Sequence, residues 1–116
     1  MKFAYASRTG NVQSIIDALG IEALQIVGGD EFIDEDFILF TYTDGYGDVP
    51  FEVDAFLANH GDKLKGVVVS GDTGYGEAYG LAGDKIAEQF NVPLLYKVEN
   101  GGTEEDLAAI KAAIGA

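Results

Sequence analysis

The chain contains no cysteine. That absence excludes disulfides, thiolate metal sites, iron–sulfur clusters and thiol redox chemistry together, so any redox role must rest on a borrowed cofactor. Basic residues are scarce: seven Lys and Arg stand against 20 Asp and Glu, a formal net charge of −13. Such a field repels nucleic acid and anionic membranes. It fits plain solubility, or steering toward a partner with a basic patch. No run approaches the roughly 20 apolar residues of a membrane span. The opening Met1-Lys2-Phe3-Ala4-Tyr5-Ala6-Ser7 lacks the apolar stretch and cleavage site of a secretory signal, so a cytoplasmic location is expected. Histidine occurs once, as His60, with no partner pattern, and a structural or solvent-facing role is expected. The acids show no metal-ligand spacing, and no Ser/His/Asp set suggests hydrolysis.

What is present is a core and a rhythm. Hydrophobic residues make up 47% of the 116, enough for one domain spanning 1–116. Lys2–Ala6 reads as a first strand. Val12, Ile15, Ile16 and Leu19 then follow one helix face, which Gly20 ends. Ala23–Val27 is a weak second strand, and Phe37-Ile38-Leu39-Phe40-Thr41-Tyr42 a strong third, apolar almost throughout as a strand covered on both faces should be. Pro50 suits a helix start, continued by Val53, Phe56, Leu57 and His60. Gly66–Ser70 is a fourth strand, and Tyr79, Ala82, Ile86 and Phe90 mark a third helix. Leu94–Val98 is the fifth strand. Thr103 with Asp106 resembles a capping box opening the last helix, which Leu107, Ile110 and Ile114 line. The stretch Gly28–Asp36 is too short and polar for a helix and reads as a loop. Alternating strands and helices imply a parallel sheet covered on both sides. Five strands in this length fit an α/β three-layer sandwich of flavodoxin-like order 2-1-3-4-5.

In such a sheet, ligands bind beyond the carboxyl ends of the strands, at the switch point between strands one and three. The loop Ser7-Arg8-Thr9-Gly10-Asn11-Val12 offers hydroxyls, a glycine for close approach and a helix N-terminus, and it holds no acid. That combination suits a phosphate, although an ordinary capped strand–helix turn has the same ingredients. Arg8 either adds positive charge or points to solvent. The loop is neither a Walker A motif nor a dinucleotide fingerprint. Two further loops, Thr43-Asp44-Gly45-Tyr46-Gly47-Asp48 and Gly71-Asp72-Thr73-Gly74-Tyr75-Gly76-Glu77, each pair glycines with one aromatic. Glycine lets main-chain groups reach the edge of a flat ligand, and Tyr46 and Tyr75 suit packing on a planar ring, with Tyr79 expected just inside the next helix. All three together point to a flat ligand bearing a phosphate.

The segments Ser-Arg-Thr-Gly-Asn-Val (7–12), Thr-Tyr-Thr-Asp-Gly-Tyr-Gly-Asp-Val-Pro (41–50), Val-Ser-Gly-Asp-Thr-Gly-Tyr-Gly-Glu-Ala-Tyr (69–79), Asn-Val-Pro-Leu-Leu-Tyr-Lys-Val-Glu (91–99) and Gly-Gly-Thr-Glu-Glu-Asp (101–106) resemble the NrdI family, in family order over nearly the whole chain. The resemblance implies FMN. It also implies a partner, the small subunit of class Ib ribonucleotide reductase, and an unidentified reductase as electron donor. In that family the reduced flavin reacts with dioxygen, and superoxide or peroxide passes to the partner's dimanganese site. Carried over residue by residue, Ser7, Thr9, Gly10, Asn11 and Val12 would hold the phosphate. Thr43, Asp44, Gly45, Tyr46 and Gly47 would line the flavin from one side, and Gly71, Asp72, Tyr75, Gly76 and Glu77 from the other. The Gly45–Tyr46 peptide is expected to turn over when the flavin is reduced, a movement glycine makes cheap. The chain departs from the family at Asp72, where asparagine is common.

Three alternatives remain at this level. One is a general electron-transfer flavodoxin. Another is a receiver-like signalling domain, for which Asp44, Ser70 and Lys97 fall near suitable positions while the acidic pair after strand one is missing. The third is a binding module without cofactor. Nothing in the sequence demands more than a monomer.

Overall fold

The computed structural model describes residues 1–115; Ala116, within the expected domain range, lies outside the described residues. The chain forms β1 (Lys2–Tyr5), α1 (Asn11–Leu19), β2 (Leu24–Gln25), β3 (Phe37–Tyr42), α2 (Phe51–His60), β4 (Leu64–Gly71), α3 (Leu81–Phe90), β5 (Leu94–Glu99) and α4 (Glu104–Ile114). The five strands make one sheet in the order β2-β1-β3-β4-β5, and each adjacent pair is parallel. This is the expected 2-1-3-4-5 order.

The sheet buries both faces because its side chains alternate. Phe37, Leu39 and Val67 pack with Val53, Phe56 and Leu57 of α2 and Ile86 of α3. Ile38, Phe40 and Val68 point the other way, onto Val12, Ile15 and Ile16 of α1 and Ile110 and Ile114 of α4. Phe37 and Phe56 meet edge to face at 5.6 Å, both fully buried. Burying each such ring stabilises the fold by about 2–3 kcal/mol, so the central strands are the rigid part on which the loops are mounted.

Several strand ends shift by one or two residues from the sequence reading, β4 running over Leu64–Gly71, and two elements differ for a physical reason. The second strand shrinks to Leu24–Gln25. Beyond it the Glu31 carboxylate accepts the N–H groups of Val27, Gly28 and Gly29 at 2.8, 3.2 and 2.9 Å. That turn draws the backbone off the sheet edge, and His60 holds it by a 3.0 Å hydrogen bond from Nε2 to the Glu31 carbonyl. Tyr79, expected inside the third helix, lies before it with φ −57° and ψ 117°. Gly80 then takes a left-handed φ of 63°, and α3 begins at Leu81. A left-handed residue cannot continue a right-handed helix, so the apolar spacing began two residues before the true start. Among the described residues, no helix is long and apolar enough to cross a membrane.

Candidate functional site

The chain leaves β1 for β2 on one side and returns to β3 on the other, so the loops after β1 and β3 part and leave a crevice between them. The loop after β4 closes its far side. Together they enclose a cleft of about 430 Å³, within the range of small-molecule and cofactor sites.

The first wall is the turn into α1. Ser7 Oγ accepts the Gln13 N–H at 3.1 Å, tying the loop to the first helical turn. Gly10 is the N-cap, with φ 95° and no side-chain capping bond, and the first turn contains no acid. A side chain added at Gly10 would meet nothing within 4 Å. The helix start is therefore open, with its backbone N–H groups and positive dipole end uncompensated by a carboxylate, which suits an anion. Ser7, Arg8, Thr9, Asn11 and Val12 line the cleft; Gly10 shapes the turn behind them.

The second wall is the turn after β3. Asp44 and Asp48 exchange backbone hydrogen bonds of 2.9 and 2.8 Å, and Gly47 N–H bonds the Asp44 carbonyl at 3.2 Å. These bonds form the stem of a small loop whose crest is Gly45–Tyr46, with Gly45 at φ 48°. The Gly45–Tyr46 peptide stands outside that stem. Thr43, Asp44 and Gly45 line the cleft. Tyr46 projects at its mouth, 80% exposed, and Gly47 packs its backbone against Leu81.

The third wall is a pair of short turns, Thr73–Ala78, after β4, joined by a kink at Gly76. Asp72 caps it by accepting the Gly74 N–H at 2.8 Å, and Thr73 hydrogen-bonds Glu99. Gly71, Asp72 and Tyr75 line the cleft. The Tyr75 ring meets the Tyr46 ring edge to face at 5.2 Å across the mouth. Gly76 and Glu77 are exposed and do not line the cleft, and Tyr79 packs near Lys97, whose Nζ is 5.6 Å from its ring.

The three loops thus meet around one cleft, with the sequence candidates divided between its wall and its rim. Residues that the sequence did not assign to a flavin site also line the cleft: Tyr42, Ser70, Ala78, Gly80 and Asn100. Tyr42, Ser70 and Asn100 stand at or just past the ends of β3, β4 and β5, so the rule that ligands collect at strand carboxyl ends would have found them. Ser70 is buried; its Oγ donates to the Asn100 carbonyl at 2.7 Å, and Thr43 Oγ1 donates to the Ser70 carbonyl at 3.1 Å, so the cleft floor is stitched to both flanking loops.

Electrostatics at the site centre on Arg8. Its guanidinium donates two bonds to the Asp44 carboxylate, at 2.9 and 3.0 Å, and lies 4.9 Å from the centre of the Tyr42 ring. The Asp44 pKa is lowered, chiefly by the Arg8 hydrogen bond. The Tyr42 hydroxyl donates to Glu52 at 2.6 Å; burial, then that carboxylate, push its pKa up to about 12. The positions a receiver domain would use are otherwise engaged: Asp44 with Arg8, Ser70 with Asn100, and Lys97 with Asp84 at 2.8 Å.

Comparison with known proteins agrees with this geometry. A family model described as NrdI Flavodoxin like matches residues 3–112. The SPbeta prophage-derived protein NrdI of Bacillus subtilis (strain 168) is 44% identical over 110 residues, covering 91% of this chain and 84% of that protein. Protein NrdI of Rhizobium leguminosarum bv. trifolii (strain WSM2304) is 43% identical over 116 residues, covering 92% and 87%. Among solved structures, the Streptococcus pneumonia TIGR4 flavodoxin superposes with a TM-score of 0.77 at 28% identity, covering 98% of this chain and 94% of the other.

Proposed function

We propose a function from one premise: this chain belongs to the NrdI flavodoxin-like family, an FMN-binding family. The proposed protein is a single FMN domain over residues 1–116 that serves class Ib ribonucleotide reductase. The observation that carries the reading is the open, acid-free start of α1 facing two Gly–Tyr loops across one cleft. Backbone N–H groups at Asn11 and Val12, with the Thr9 hydroxyl, would hold the phosphate. Thr43, Asp44 and Gly45 on one side, and Gly71, Asp72 and Tyr75 on the other, would hold the flavin. Tyr46 would shield it from bulk water at the rim. When bound, FMN supplies electrons to dioxygen, and superoxide or peroxide passes to a dimanganese site in the reductase small subunit. The electron donor is an unidentified reductase, the protein works as a cytoplasmic monomer, and its acidic surface favours a partner with a basic docking face.

The second reading is a general electron-transfer flavodoxin, favoured by the close superposition on the Streptococcus flavodoxin. It uses the same cleft and lacks the oxidant delivery.

Titration of the purified protein with FMN, followed by stepwise anaerobic reduction, is expected to give one-to-one binding and reversible flavin bands. The reduced protein is then expected to activate a manganese-loaded small subunit in the presence of dioxygen. Binding without activation leaves the general flavodoxin reading; no binding removes both.

A further inference from the structure

We propose that the Arg8–Asp44 pair is a latch that positions the Tyr46 turn over the cleft, so that Arg8 is a positioning residue for the flavin site and not a ligand of the phosphate. The inference deepens, and rests on, the FMN reading above.

Five observations lead to it. Arg8 lies in the loop after β1 and Asp44 in the loop after β3, 36 residues apart, yet the guanidinium grips the carboxylate with both forks at 2.9 and 3.0 Å. A planar two-point contact fixes orientation as well as distance. The guanidinium also sits over the Tyr42 ring, whose hydroxyl bonds Glu52, so the cation has a second contact beside Asp44. Asp44 is moreover the base of the Tyr46 turn: its N–H, its carbonyl and its side chain are all engaged. Fixing that side chain therefore fixes the stem on which Gly45 and Tyr46 ride. Finally, Arg8 is the only cation among the residues lining the cleft, and both its bonds go to Asp44. Turning to a phosphate would require it to abandon both. Its chain neighbour Ser7 is tied to the start of α1 through Gln13. The pair therefore couples the helix start to the turn.

The alternative, Arg8 as direct phosphate ligand, makes opposite predictions. If charge alone governed affinity, removing the Asp44 carboxylate would tighten a phosphate-bearing ligand. A latch predicts that it weakens. Riboflavin, which has no phosphate, separates the two further.

The test measures dissociation constants for FMN and for riboflavin with Arg8→Gln, Asp44→Asn, the double variant and Arg8→Lys. Each single substitution is expected to weaken both ligands by a similar factor, about three- to tenfold. The double variant should be no weaker than either single one, and Arg8→Lys should fail to restore binding because an ammonium lacks the fork. Part of the effect should fade at high salt, since the Arg8 and Asp44 side chains are 55% and 36% exposed. Loss of FMN but not riboflavin affinity in Arg8→Gln overturns the latch, as does tighter FMN binding by Asp44→Asn, or a double variant equal to the product of the singles. Amide hydrogen exchange at Gly47 and Asp48 in the flavin-free protein tests the latch independently. It is expected to quicken at least threefold in both single variants, and unchanged rates overturn the proposal. A wild-type chain that binds neither flavin refutes the FMN reading, while the exchange rates still decide the latch.

Discussion

Asp72 shows how a single side chain can hold two roles at once. Its carboxylate caps the Thr73–Ala78 turn through the Gly74 N–H, and the same group lines the cleft where a flavin would gain electrons. A fixed negative charge there disfavours a cofactor that becomes more negative on reduction. Replacing Asp72 with asparagine keeps an oxygen for the Gly74 N–H and removes only the charge. Asp72→Asn is therefore expected to raise the flavin midpoint potential by about 40 mV, the one-electron equivalent of a screened charge effect of about 1 kcal/mol. Spectroelectrochemical titration of the two proteins checks this, and an unchanged or lower potential would refute it. Arg8 is the counterpart across the cleft, a cation whose charge is already spent on Asp44.

At the scale of elements, α1 and α4 begin in opposite ways. Thr103 and Asp106 form a reciprocal capping box at the start of α4, with Thr103 Oγ1 accepting the Asp106 N–H at 3.2 Å and Asp106 accepting the Thr103 N–H at 2.9 Å. Three acids crowd that first turn. The start of α1 has no acid, and its N-cap Gly10 has no side chain to bond the first N–H groups; only the Gln13 N–H is taken, by Ser7 Oγ, in a chain with 20 acids to distribute. One helix end is arranged for stability, and the other is left open to an anion. Thr103→Ala is expected to cost about 1 kcal/mol. Urea unfolding should show a lower midpoint at unchanged slope, with FMN affinity unaffected because α4 stands outside the cleft. A loss of FMN binding would contradict this division of labour between helix ends.

Across the whole molecule, the ionisable groups set limits on stability at both ends of the pH scale. The Arg8 hydrogen bond, above all, lowers the Asp44 pKa. The Tyr96 hydroxyl, then the Thr103 N–H, lower that of Asp106. A depressed carboxyl contributes stability that is fully present above the unfolded-chain value of about 4 and is lost as pH falls through the folded value. Tyr42 behaves in reverse. Its pKa of about 12 lies above the unfolded value of about 10, so its contribution is intact below pH 10 and lost as pH climbs to about 12. Denaturant unfolding from pH 2 to 12 is expected to show stability falling below about pH 4 and again above about pH 10. Tyr42→Phe should flatten the alkaline fall; an unaltered alkaline limb would show that Tyr42 does not control it.

The sequence alone determined the order of elements, the sheet topology and the three loops that line the cleft. Each of these follows from local chemistry: strand-long apolar runs, helical spacing, and glycines at the turns. It also determined where acids are absent, which is what marks the start of α1. The structure decided the rest, because it depends on how the chain turns and packs, beyond what apolar spacing records. The early end of β2 comes from Glu31 folding back on its own backbone. The start of α3 was set by the handedness of Gly80, which apolar spacing does not record. Tyr42, Ser70 and Asn100 entered the cleft wall because parallel register brings the ends of β3, β4 and β5 side by side. The sequence left Arg8 between cleft and solvent; only the packing of the β1 and β3 loops brought it within hydrogen-bonding distance of Asp44, since a contact across 36 residues is fixed by where the sheet places its two ends.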